Sequence, residues 1–159
     1  MFDHEKLDVY QLELKFLGWV TEFLVELADN PSPVNKRELT DQLDRASLSA
    51  LLNTAEGNGR RQGKQRAKFF DDARGSAIEC AACLDASVAK RLSTVDRIQA
   101  GKEILVRIVS MLSKLVERFD PDSYRIREGE NTLGDAKTIE DEDDDEDEDE
   151  DEIRGAGHS

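Results

Sequence analysis

The chain has 159 residues, 38% of them hydrophobic and 36% charged, with a formal net charge of −14. The acidity belongs to one end: residues 1–127 carry 20 basic and 20 acidic side chains, and residues 128–159 carry 2 and 16. A neutral body of that length can bury a core without disulfides or metals, and the total charge says little about what the body binds.

Residues 5–28 read as a first helix. Leu7, Tyr10, Leu14, Leu17, Leu24 and Ala28 form one apolar stripe, and Val9, Leu12, Phe16, Trp19, Val20, Phe23 and Leu27 form a second beside it. Together they are wider than the roughly 100° arc that one core requires. Either the helix is deeply buried, or Phe16, Trp19 and Phe23 form a subunit interface, where large aromatics are enriched. Asn30-Pro31-Ser32-Pro33 ends the helix, because proline lacks the donor and restricts the residue before it.

A second helix is predicted from about Asn35 to Glu56. Gln42, Arg45, Ser49, Asn53, Glu56 and Arg60 recur every three or four residues and share one face. Apolar flanks argue that some of them bond to one another at a helix–helix seam. Gly57 and Gly59 are expected to stop the helix, with Arg60 or a cation from a neighbouring helix offsetting Glu56 at the negative end of the dipole. Arg60, Arg61, Lys64, Arg66 and Lys68 then place five cations in nine residues with no acid among them. That density suits phosphate binding, and the alternative is a solvated turn paired to Glu56, Asp71 and Asp72.

A third helix spans about Gln62 to Arg91 and carries the small residues Ala73, Gly75, Ser76, Ala77, Cys80, Ala81, Ala82, Cys83 and Ala86, which suit close packing. Thr94 is the N-cap of a fourth helix whose apolar period runs from Ile98 to Phe119, and Asp120-Pro121 ends it. No stretch alternates with period two. Four helices with short connections predict an all-α, up-down-up-down four-helix bundle over residues 1–122. Residues 123–159 read as a flexible acidic tail, since residues 140–152 are all Asp or Glu, a run that repels itself and stays disordered.

The only histidines are His4 and His158, so a di-iron bundle site lacks its Glu-x-x-His pairs. Cys80 and Cys83 supply two of the four ligands of a structural zinc and read instead as buried small residues. No cofactor, metal or enzymatic activity is expected. The polar start Met1-Phe2-Asp3-His4-Glu5-Lys6 and the absence of a long apolar run predict a cytoplasmic protein with no membrane partner.

Several of these elements together carry a resemblance. Phe2, Lys6-Leu7, Val9-Tyr10-Gln11, Leu39-Thr40, Gln42-Leu43, Arg45-Ala46, Ser49, Asn53, Ala55-Glu56-Gly57, Gly59-Arg60, Phe69, Ala73-Arg74-Gly75-Ser76 and Glu79 resemble the four-helix-bundle proteins encoded in intervening sequences of bacterial 23S ribosomal RNA genes. The resemblance covers about Phe2 to Phe119, and the acidic tail has no counterpart in it. It implies a homopentamer similar in fold to the accessory variability determinant of diversity-generating retroelements, which binds nucleic acid and partners a reverse transcriptase. It also implies that Arg45, Glu56, Arg74 and Glu79, with Arg60, form a buried or interfacial ion network.

The resulting expectation is a non-enzymatic oligomer that binds RNA or a ribonucleoprotein through Arg60, Arg61, Lys64, Arg66 and Lys68. The alternative is a protein–protein adaptor, such as an accessory subunit of a reverse transcriptase. The tail is expected to act as an electrostatic competitor for the basic turn or only to solubilise. Glu56 is expected to pair with an arginine from another segment.

Overall fold

Capping and apolar period place the helices, and a computed structural model describes residues 1–122. A 3₁₀ turn over Asp3–Lys6 leads into α1 (Asp8–Asp29), followed by α2 (Arg37–Gly59), α3 (Gly63–Ala89) and α4 (Val95–Phe119). The acidic tail lies outside the described residues.

Asn30 ends α1 in extended backbone. Its side-chain Nδ2 donates to the Leu92 carbonyl at 3.0 Å, which ties the α1–α2 connection to the α3–α4 connection at one end of the bundle. The α2–α3 turn, Arg60 to Gln62, lies at the other end. Thr94 caps α4 by accepting the Arg97 N–H at 3.2 Å. The end of α3 is closed by Arg91 in the left-handed region (φ 59°), with Leu92 N–H reaching back to the Ser87 carbonyl at 2.9 Å and Arg91 N–H to Val88 at 2.9 Å. This is the usual reverse turn at a helix C-terminus, with arginine where glycine is preferred.

The helices follow one another around the bundle: α1 packs on α2 and α4, and α3 packs on α2 and α4. This is the up-down-up-down arrangement. The shared core is built from Phe16, Val20, Phe23, Leu43, Phe70, Leu84, Ile108 and Leu112 with their neighbours. Small residues on α3, Ala73, Ala77 and Cys80, are fully buried and let its axis approach the others.

Two sequence expectations change here. Gly57 and Gly59 do not stop α2, which continues through both and ends at Arg60 in extended backbone. Gly57 is needed for proximity: a Cβ there would lie 3.0 Å from the Phe69 Cβ and 3.1 Å from the Phe70 ring. Of the two stripes on α1, the one containing Phe16 and Phe23 faces the chain's own core, at 2% and 1% exposure. Those two residues are therefore unavailable to a second subunit, which corrects the expected interface set. Trp19 is half-buried and stacks between them, with ring centroids 5.9 Å from Phe16 and 5.1 Å from Phe23. It fills the space left by Gly101 on α4, where an added Cβ would come within 2.6 Å of the indole. The other stripe stays nearer the surface, with Leu14 exposed and Tyr10, Leu17 and Leu24 half-buried.

One acid belongs to the interior. Glu13 is 2% exposed, accepts a hydrogen bond from the Thr54 hydroxyl at 2.7 Å, and has no partner for Oε2 among the described residues. Burial pushes its carboxyl up to about 8, against the smaller lowering effect of Thr54.

Candidate nucleic-acid interface

Helix ends bring the five predicted cations to one end of the bundle, and the structure separates their roles. Arg60 caps α2 and pairs with Glu56 one turn back. This corrects the expectation that Glu56 takes an arginine from another segment: the i, i+4 spacing makes the local partner the nearer one. Lys68 pairs with Asp72 at 3.2 Å, also within one helix. Both pairs are solvent-exposed, and exposed pairs contribute about 0–1 kcal/mol, so an incoming phosphate competes with them readily. Arg61 and Lys64 are exposed and make no ion pair among the described residues.

Arg66 is different. It is half-buried, donates to the Asn58 side chain at 3.0 Å and lies 4.3 Å over the Phe119 ring. It clamps the end of α2 to the end of α4, and its Nε is buried with no hydrogen-bond partner among the described residues. Gly63 completes this junction, since a Cβ there would lie 3.0 Å from the Phe119 carbonyl oxygen. Arg66 is thus largely occupied in holding the end together. Phe69 sits between two of the other cations, with the Arg60 guanidinium 4.8 Å and the Lys68 ammonium 5.5 Å from its ring centre.

The polar stripe of α2 forms a ladder along the α2–α3 seam. Arg45 donates to Gln42 at 2.8 Å, and Gln42 donates to Glu79 on α3. The Ser49 and Ser76 hydroxyls are 3.0 Å apart, and the Asn53 amide donates to the Ser49 carbonyl at 2.9 Å. Within one chain, Arg45, Glu56, Arg74 and Glu79 do not join as one network. Arg45 meets Glu79 only through Gln42, Glu56 pairs with Arg60, and Arg74 binds Asp71 on its own helix at 2.7 Å.

Elsewhere the side chains offer little chemistry. Cys80 is pushed up to about 12 by burial, with Cys83 and Glu79 adding to it, and burial also raises Cys83. Both thiols are free and buried. Among the described residues no three His, Cys, Asp or Glu side chains come together as a metal-binding group. An open groove of about 570 Å³ runs along α1 and α4 beside Trp19, and one of about 390 Å³ lies between α2 and α3 near Glu38, Glu79 and Lys90, away from the basic turn. No described helix is long and apolar enough to cross a membrane.

The cations are legible in the sequence because they cluster within nine residues. The clamp role of Arg66 is not, because it depends on Phe119 of a helix far along the chain. No curated protein matches the chain. The family described as 23S rRNA-intervening sequence protein matches residues 5–114, which run from the 3₁₀ turn before α1 to the last turns of α4, and the chain belongs to that family.

Proposed function

We propose that this protein is a non-enzymatic, self-assembling cytoplasmic bundle that binds RNA or a ribonucleoprotein through its basic end. One observation carries the reading: Arg61 and Lys64 project from that end without an ion-pair partner among the described residues, flanked by Arg60 and Lys68 in weak exposed pairs. Such cations are available to neutralise phosphates. The family's description, which names ribosomal RNA, supports the choice of RNA over DNA.

Self-assembly is supported by large apolar groups left exposed on all four helices. Leu14, Leu48 and Leu52 lie on α1 and α2, and Ile78 and Val106 on α3 and α4, with Leu52 57% and Val106 68% exposed. A ring of five, the number the family resemblance implies, would multiply the basic ends for multivalent binding. The acidic tail, with thirteen consecutive acids at residues 140–152, competes with RNA for those cations.

The test is RNA binding by the full chain across a salt series. Arg61→Glu with Lys64→Glu lowers affinity and flattens the salt slope, and deletion of residues 128–159 tightens binding. Absence of RNA binding at low salt overturns the reading and leaves the adaptor role, with a protein such as a reverse transcriptase as the partner.

A further inference from the structure

The 3₁₀ turn before α1 brings a second group of aromatics to the basic end. Glu13 of α1 meets Thr54 of α2, and the two helices run antiparallel, so residues before Glu13 lie toward the end of α2 and Arg60. The 3₁₀ turn packs on α2. It presents Phe2 stacked on His4, with ring centroids 5.7 Å apart and planes 11° from parallel. His4 in turn meets Tyr10 edge-on at 4.8 Å. The Glu5 carboxylate accepts the Phe2 N–H at 2.6 Å, which fixes the backbone that carries the ring. Phe2 nevertheless stays 72% exposed. An apolar ring held in place against one aromatic neighbour and open to water on most of its surface covers no core. Its shape fits one more flat ring.

We infer that this end of the bundle takes unpaired RNA, with phosphates on Arg61 and Lys64 and a nucleobase stacked on Phe2 above His4. The inference rests on the RNA-binding reading and makes it specific. A duplex offers phosphates but keeps its bases stacked on one another, so it gains nothing from Phe2. A single strand gains both terms, because every base has a face to stack. Phe69, between the Arg60 and Lys68 cations, lies on the same end and is half-buried, so the Phe2 platform is the more accessible of the two. The acids on the turn are engaged locally: Asp3 pairs with Lys6 at 3.1 Å, and Glu5 is held by the Phe2 backbone.

Fluorescence anisotropy on the full chain tests this with three probes of equal phosphate number: a single-stranded RNA, the same strand in a hairpin duplex, and a strand of abasic sites. The single strand binds tightest. Phe2→Ala weakens single-strand binding by about tenfold, within the range one base–aromatic stack supplies, and leaves the duplex and abasic probes unchanged. Phe2→Trp restores single-strand binding. Equal affinity for all three probes, with no effect of Phe2→Ala, overturns the stacking site while RNA binding stands. No binding of any probe overturns the RNA reading as well. Phe2 is largely exposed, so its replacement leaves the fold intact, and circular dichroism verifies that.

Discussion

Helix α1 is held on its two flanks by opposite physics. Toward α2 a contact in its second turn is polar: a buried carboxyl on a buried hydroxyl, Glu13 on Thr54. Toward α4 it is a matter of size: the Trp19 indole occupies the place of the side chain that Gly101 lacks, with Arg97 5.0 Å above the ring and bound to Glu26 through two bonds of 2.7 and 2.6 Å. Each fixes the register of α1, since sliding one turn would strand a buried acid on one side and drive an indole into backbone on the other. The polar flank depends on protonation. The packed flank does not.

The largest expected effect breaks the first flank by pH. Unfolded, the Glu13 carboxyl titrates at its ordinary 4.5, and folded it titrates at about 8. Between those values the folded chain holds a proton that the unfolded chain has released. Glu13's contribution to stability is therefore fully present below pH 4.5, is lost as pH rises, and levels off above about 8. The total loss is on the order of 5 kcal/mol. Denaturant midpoints measured from about pH 5 to about pH 9 should fall accordingly, and Glu13→Gln should remove most of the slope. A flat wild-type profile would sink this account of Glu13.

The second flank is broken by a single methyl. Gly101→Ala places a Cβ against the indole and should cost about 2 kcal/mol, the ordinary penalty of overpacking. The penalty prevails over the roughly 1 kcal/mol that alanine gains over glycine in a helix. Trp19→Phe in the same chain should recover much of the loss, and a double-mutant cycle at neutral pH reads the coupling. Additive effects of the two substitutions would mean that the contact does not set the α1–α4 spacing. Arg97→Ala on this flank should cost less, about 1 kcal/mol, because the ion pair with Glu26 is partly exposed.

These two flanks also show what the sequence could and could not convey. Elements ended by local chemistry were legible: Pro31, Thr94 and Asp120-Pro121 bound their helices through backbone donors and caps that a reader can see. Which stripe of α1 faces inward was not. Glu13 lies among the inward residues and interrupts their apolar pattern, so two stripes looked equivalent and the aromatic one was open to being an interface. Gly57 and Gly59 read as a stop because glycine can turn the chain. What decides Gly57 is the approach of Phe69 and Phe70, which no local pattern encodes. The basic cluster was legible as charge, but its division into free, paired and clamped cations needed Phe119 and Asn58 in place. Phe2 had no periodic partner and drew attention only as part of the family resemblance.

The smallest effect sharpens the comparison by asking what a glycine does when nothing fills its space. Gly18 on α1 and Gly75 on α3 are both exposed and mid-helix, and a Cβ at either would meet nothing within 4 Å. Inside one chain neither has a reason to be glycine, which costs a helix roughly 1 kcal/mol relative to alanine. Gly18→Ala should therefore raise stability by about that amount and leave the assembly mass unchanged. Gly75 lies on the small-residue helix, between the exposed Ile78 and the Ser76 end of the polar ladder. If α3 is where a second copy comes close, Gly75→Ala gives the same local gain in the monomer but lowers the mass measured by light scattering. The expected result is a split between the two sites: equal gains in helix stability, with assembly lost only at Gly75. An unchanged mass for both would move the subunit contact off α3 and onto the leucines of α1 and α2, where Leu48→Glu with Leu52→Glu would then dissociate it.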